Sequence, residues 1–324
     1  MSKFKFEPLK EVKRSIIVDT DIGPDCDDVG ALVILYTYAK KYNIPIAGVI
    51  NCTSNPYGAG AIDIIGKYCG CENIPVGMWS GEGFLWDETT MQYNKYISER
   101  FNTIYKPVGN SKVENSLDLY RHVLANAEDK SIVIVTIGPL NTISELLSSK
   151  GDAISPEDGR TLIEKKVHAV VTMAGCTSCK QREYNIVCDG NAAENFINNM
   201  PVPVIYSGVE LGGKIDSGFD SDSIPDNANE NPVYLSYKMY TEFRKMQPWF
   251  NKSYDLTAVH FAFEGEGEYY KLSQSGRMVI YRNKNNATEF VLDEEGQSFF
   301  MDLNCSVQKI SNEFSRALID AVKF

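Results

Sequence analysis

Ten residues near the start of the chain, Asp19-Thr20-Asp21-Ile22-Gly23-Pro24-Asp25-Cys26-Asp27-Asp28, contain five carboxylates. Held close together, such groups repel one another strongly unless they splay into solvent or share a cation. Hard oxygen ligands at irregular loop spacing suit Ca²⁺ or Mg²⁺ better than zinc or copper, and the spacing is not that of an EF-hand. Gly23 and Pro24 permit a tight turn. Asp27 and Asp28 fall where a helix should begin, so its N-terminus offsets part of their charge. The bland alternative is a solvated acidic loop with Asp27 capping the helix. Five carboxylates at the end of a strand favour a metal or catalytic site instead.

The elements around the cluster follow from hydrophobic periodicity. Residues 14–18 predict a strand that feeds directly into it, and 28–42 carry apolar residues at helical spacing. Further strands are expected at 45–50, 131–137, 168–173 and 202–206. Helices are expected near 58–68, 140–148, 190–199 and 209–214. This alternation predicts an α/β fold with a single open, mainly parallel sheet and helices on both faces. Ligands bind such sheets beyond the carboxyl ends of the strands, where the aspartates fall. After residue 272 the pattern changes: 277–281 and 289–292 flank an Asn-rich turn and predict an antiparallel hairpin. A strand at 298–303 and an amphipathic helix at 307–322 follow. One domain over 1–324 is expected, with a core at 14–270 and a C-terminal β elaboration and helix at 272–324.

Composition excludes several functions. The net charge of −11, from 32 basic and 43 acidic residues, argues against nucleic acid as a partner, because phosphate backbones require clustered Lys and Arg. No run of about 18 uncharged apolar residues is present to span a membrane. The N-terminus lacks a signal-peptide pattern. The eight scattered cysteines then read as reduced thiols in the cytoplasm.

Five segments in order resemble motifs of the inosine/uridine-preferring nucleoside hydrolase family. They are DTDIGPDCDDVGAL at 19–32, VTIGPLNTI at 135–143, VTMAG…EYNIVCDGNAA at 171–193, PVPVIYSGVELGGKI at 201–215 and SYDLTAV at 253–259. The resemblance covers residues 14–262 and implies a parallel-sheet fold with Ca²⁺ at the sheet's carboxyl edge. It implies Asp21, Asp28, Asp255 and the backbone carbonyl of Ile137 as metal ligands. Asp27, Asn55, Glu183 and Asn185 would hold ribose hydroxyls, with Met173 lining the sugar pocket. The implied reaction is hydrolysis of the N-glycosidic bond of a ribonucleoside or related N-riboside. Metal and Asp21 would activate a water, and positive charge would build on the ribose as in glycoside hydrolysis generally. The family's tendency to form dimers or tetramers implies a homo-oligomer.

The sequence also departs from the family pattern. Two extra residues separate Asp21 from Asp27-Asp28, which leaves Asp25 as an alternative ligand. Tyr254 stands where many members have His as leaving-group acid. A phenol of ordinary pKa, about 10, donates a proton less readily at neutral pH. The usual Gly-Asn ahead of Glu-Phe-Asn is missing, and GPLNT reverses GPLTN. Trp79, Trp86, Tyr93 and Trp249 lie in irregular regions and are candidates to stack on a base, Trp249 foremost because Tyr254 and Asp255 follow it. His260 is a further candidate beyond Asp255. Cys176 and Cys179 form a CxxC without a second pair and read as packed thiols. Two other functions are open: an aspartate-nucleophile phosphohydrolase using Asp19, and a nucleoside- or pentose-binding protein without turnover.

Overall fold

The structure, a computed structural model, describes residues 4–85, 93–108, 113–177, 181–246 and 249–321. The chain opens with β1 (Ser15–Thr20), α1 (Asp27–Tyr42), β2 (Ile46–Asn51), α2 (Gly58–Tyr68) and β3 (Val76–Met78). Next come α3 (Tyr93–Arg100), α4 (Asn102–Tyr105), β4 (Glu114–Asn115), α5 (Ser116–Asn126) and β5 (Ile132–Thr136). The middle of the chain forms α6 (Asn141–Ser148), α7 (Gly159–Lys166), β6 (Val167–Met173), α8 (Tyr184–Cys188) and α9 (Gly190–Asn199). It continues through β7 (Val204–Ser207), α10 (Val209–Gly212), β8 (Asp216–Gly218), α11 (Pro232–Phe243) and β9 (Phe250–Lys252). The last elements are α12 (Tyr254–Glu264), β10 (Tyr270–Leu272), β11 (Gly276–Tyr281), β12 (Ala287–Leu292), β13 (Ser298–Leu303) and α13 (Val307–Ile319).

One sheet runs in the order β12-β11-β13-β7-β6-β5-β1-β2-β3-β4. From β13 to β4 every neighbouring pair is parallel. Its central strands are apolar throughout because helices cover both faces, and all five residues of β5 are buried. Alternate residues feed separate cores. Val18, Val133 and Val171 face the layer of α1, α2, α11 and α12. Ile17, Ile134 and Val170 face α5, α6, α7 and α9.

The predicted C-terminal hairpin is present as β11 and β12. It is no separate appendage, however. Strand β13 lies parallel to β7 in register Ser298↔Val204, so the hairpin extends the main sheet. Antiparallel pairing there is confined to the contacts of β10, β11 and β12.

Helix α12 is buried from Asp255 to Glu264, wedged between α1 and the sheet. His260 sits five residues past Asp255, well over a turn away, and points elsewhere. Rings of Tyr38, Tyr269, Tyr270 and Phe314 surround it, and Nδ1 is 3.0 Å from the Tyr270 hydroxyl. Burial lowers its pKa from 6.5 to about 3, so His260 is a neutral core residue. Below pH 6.5 the unfolded chain takes up a proton that the folded chain refuses. The corresponding stability is complete above that pH and is lost as pH falls toward 3. Urea midpoints between pH 7 and pH 5 should show a loss of about 2 kcal/mol from this group. His260→Gln should flatten the slope; a slope unaffected by the substitution would refute the assignment.

Candidate active site

Strand alternation separates the first aspartates. Asp19 turns to the α5–α6 side, where its carboxylate accepts hydrogen bonds from the Tyr120 hydroxyl (2.8 Å) and from Thr142 Oγ1. It is 1% exposed and lies outside the cavity, so it cannot meet a phosphoryl group. Thr20 faces the other side and donates to Asp28 Oδ1. Asp21 then emerges at the strand's carboxyl end, lining a cavity of about 780 Å³.

The chain reverses through Gly23, whose φ of 150° suits glycine; an added Cβ would lie 3.0 Å from Asn94 Nδ2 and 3.4 Å from Asn55 Nδ2. Helix α3 pins this loop from outside. Asn94 Nδ2 donates to the Ile22 carbonyl (3.1 Å), and the Tyr93 hydroxyl donates to the Asp25 carbonyl (2.6 Å). Asp27 and Asp28, in the first turn of α1, are fully buried. Asp27 reaches across to the start of α12, accepting from the Asp255 amide (3.1 Å) and from Asn251 Nδ2 (3.3 Å). This contact ties the first βα junction to a helix more than 220 residues later.

Four carboxylates converge as a result. One oxygen each from Asp25, Asp27, Asp28 and Asp255 lies within 4.8 Å of the others. Asp21 lies outside that group of four but close enough for Asp28 and Asp25 to repel it. Burial raises the pKa of all five carboxyls. Repulsion adds to this: Asp25 presses on Asp27 and Asp28, and both of those press on Asp255. Among the described residues no Lys or Arg forms an ion pair with any of them. A largely buried, all-oxygen donor set with excess negative charge and no ion pair to a described Lys or Arg fits a hard divalent metal.

The other predicted residues surround this cage. Ile137 follows β5, and Gly138 lets that turn approach β1; a Cβ there would sit 2.8 Å from the Asp21 amide. Asn185 Nδ2 donates to the carbonyls of Met173 (2.9 Å) and Ile137 (3.3 Å), joining the ends of β6 and β5. Glu183 caps α8: Oε1 accepts from Asn185 N (2.7 Å), and Oε2 from Gly175 N (2.9 Å) and Ile186 N (3.0 Å). A carboxylate has about four acceptor sites, so one remains for a ligand. Asn55, Met173, Glu183, Asn185 and Tyr254 all line the cavity. Burial, followed by the Asp27 and Asp25 charges, raises the Tyr254 pKa above 10.

The aromatic candidates lie elsewhere. Trp249 packs its ring against Tyr234 (5.6 Å between centroids) and does not line the cavity. Trp79 packs on Phe84, and Tyr93 is a buried structural anchor. Trp86 and Cys179 fall outside the described residues; Cys176 is buried and donates from Sγ to Glu210 Oε1 (3.0 Å). Among the described residues, the aromatic side chains that line the cavity besides Tyr254 are Tyr184, Tyr240 and Phe243. No periodicity in the sequence distinguishes these three from core or surface residues. Asp25 was visible within the cluster, but its membership in the group of four depends on the path of the loop.

The inosine-uridine preferring nucleoside hydrolase profile matches residues 16–302, nearly the whole chain. The chain belongs to that family. Membership makes it an N-ribosyl hydrolase, an enzyme of N-glycosidic bond cleavage in nucleosides. Among solved structures, the inosine-uridine preferring nucleoside hydrolase of Bacillus anthracis matches with a TM-score of 0.70 and 15% identity, over 96% of this chain and 100% of that one. An inosine-guanosine nucleoside hydrolase matches at 0.68 and 19%, over 97% and 99%. The purine-preferring ribonucleoside hydrolase of Gardnerella vaginalis matches at 0.68 and 15%, over 95% and 99%. At these identities the likeness to this nucleoside hydrolase is one of fold. No curated protein matches the sequence.

Proposed function

We propose that this nucleoside hydrolase is Ca²⁺-dependent and cleaves a ribonucleoside or related N-riboside to free base and ribose. One observation carries the reading: Asp25, Asp27 and Asp28 from the first βα junction meet Asp255 from α12 in a largely buried cage, and no described Lys or Arg forms an ion pair with them. Asp28, Asp255 and the Ile137 carbonyl hold the metal, with Asp21 or Asp25 completing the set. Bound Ca²⁺ supplies Lewis acidity that makes a nearby water a better nucleophile. Asp21 accepts the proton of that water as it attacks the anomeric carbon. Asp27, Asn55 and the Oδ1 of Asn185 accept hydrogen bonds from ribose hydroxyls, and Glu183 uses its remaining acceptor site. Met173 packs against the sugar. These carboxylate and amide oxygens are fixed before substrate arrives, so they stabilise the positive charge that develops on the ribose. Tyr254, held neutral, donates a hydrogen bond toward the departing base.

Cys26, Cys52, Cys69, Cys71, Cys188 and Cys305 are free thiols, which supports a reducing, cytoplasmic setting. Among the described residues no helix is long and apolar enough to cross a membrane.

A reducing-sugar assay on a ribonucleoside panel, with and without chelator, tests the proposal. Base release should vanish on chelation and return with added Ca²⁺. Tight ribose binding without base release would indicate a binding protein instead.

A further inference from the structure

Two arginines stand over a cavity floored with carboxylates. Arg182 immediately precedes Glu183, whose backbone is extended (φ −106°, ψ 139°). Extended geometry sends Arg182 and Tyr184 to one side, while the Glu183 carboxylate turns inward onto backbone amides. Arg244 follows α11 directly. Tyr240, Phe243 and Arg244 occupy positions i, i+3 and i+4, so the end of that helix presents them on one face. All five residues line the same cavity. Tyr184 and Phe243 are 52% and 55% exposed, offering flat apolar rings at its mouth. Neither arginine forms an ion pair with a described residue.

The helix dipole accounts for a cation after α11, but not for Arg182, which sits at the N-terminal end of α8 where a cation is disfavoured. Two guanidinium groups with no ion pair among the described residues stand beside exposed rings, above a floor that includes Asp21, Asp25, Asp27, Asp255 and Glu183, and are free to pair with an anion at the mouth.

We propose that this rim binds an oxyanion, phosphate or carboxylate, carried by the N-riboside, and that the enzyme therefore prefers anionic over neutral nucleosides. The proposal rests on the hydrolase reading above. Guanidinium pairs with either oxyanion through two parallel N–H···O bonds, and the rings flank the base.

The test compares uridine, uridine 5′-monophosphate and orotidine on the Ca²⁺-loaded protein, by steady-state kinetics and by calorimetric binding. One anionic compound should exceed uridine by about tenfold in kcat/KM, a margin that added salt should erode. The double variant Arg182→Gln/Arg244→Gln should cut the anionic-to-neutral ratio by about tenfold or more, in turnover and in binding alike. Preference for the monophosphate identifies a 5′-phosphate site; preference for orotidine identifies a base-carboxylate site. Uridine performing as well as both, or a ratio unmoved by the double variant, overturns the proposal. If none of the three releases base and the ribonucleoside panel is uncleaved as well, the hydrolase reading fails instead, and calorimetry still decides the anion preference.

Discussion

Asp21→Asn should lower kcat for nucleoside hydrolysis by about 10³-fold without unfolding the protein. The carboxylate lies at the carboxyl end of β1, beside but outside the four converging aspartates, where it can take a proton rather than serve only as a ligand. The amide has the same shape and no basicity, so the change isolates proton transfer. Its effect on stability should have the opposite sign. Asp28 and Asp25 repel the Asp21 carboxyl, and replacing it with a neutral group relieves that repulsion in metal-free protein. Thermal unfolding in chelator should therefore occur at the same or a higher temperature in the variant. Calcium titration should separate Asp21 from Asp25: the more heavily a carboxylate coordinates, the greater the affinity lost on conversion to Asn. Unchanged turnover in Asp21→Asn would remove Asp21 from the chemistry.

Arg121→Ala should destabilise the protein by about 3–5 kcal/mol, read from urea midpoints. Arg121 is fully buried on α5. Its Nε lies 2.7 Å from Asp152 Oδ2. Nη1 donates to Ser149 Oγ (2.9 Å), and Nη2 to Asp152 Oδ1 (2.9 Å), Ser155 O (2.9 Å) and Glu157 O (3.0 Å). One side chain thus binds the loop between α6 and α7 to α5. Truncation leaves a large cavity and buried carbonyls without donors, each costly in a low-dielectric interior. Lysine should recover only part of the loss, because a point-charge ammonium cannot span the same fork of acceptors. A variant as stable as wild type would show that water satisfies the loop unaided.

Much of the architecture was legible because central strands and amphipathic helices announce themselves by period. Residues 58–68, 190–199 and 298–303 form α2, α9 and β13 with the expected bounds. Strands β3 and β4, of three and two residues, were invisible: so short a segment carries no period, and pairing with a formed neighbour creates it. The pair β8 and β9 arises in the same way. Arg121 carries no signal in the sequence, because a lone arginine in an amphipathic helix reads as solvent-exposed.

The sequence by itself determined the α/β alternation, the five carboxylates after the first strand and the SYDLTAV segment, since each is a local matter of residue type and order. Tertiary structure decided which of them share a space. Asp27 accepting the Asp255 amide, and Asp25 joining Asp255 in the group of four while Asp21 stands beside it, depend on where α12 docks against α1. That docking is set by packing between segments over 200 residues apart, and no local pattern encodes its register.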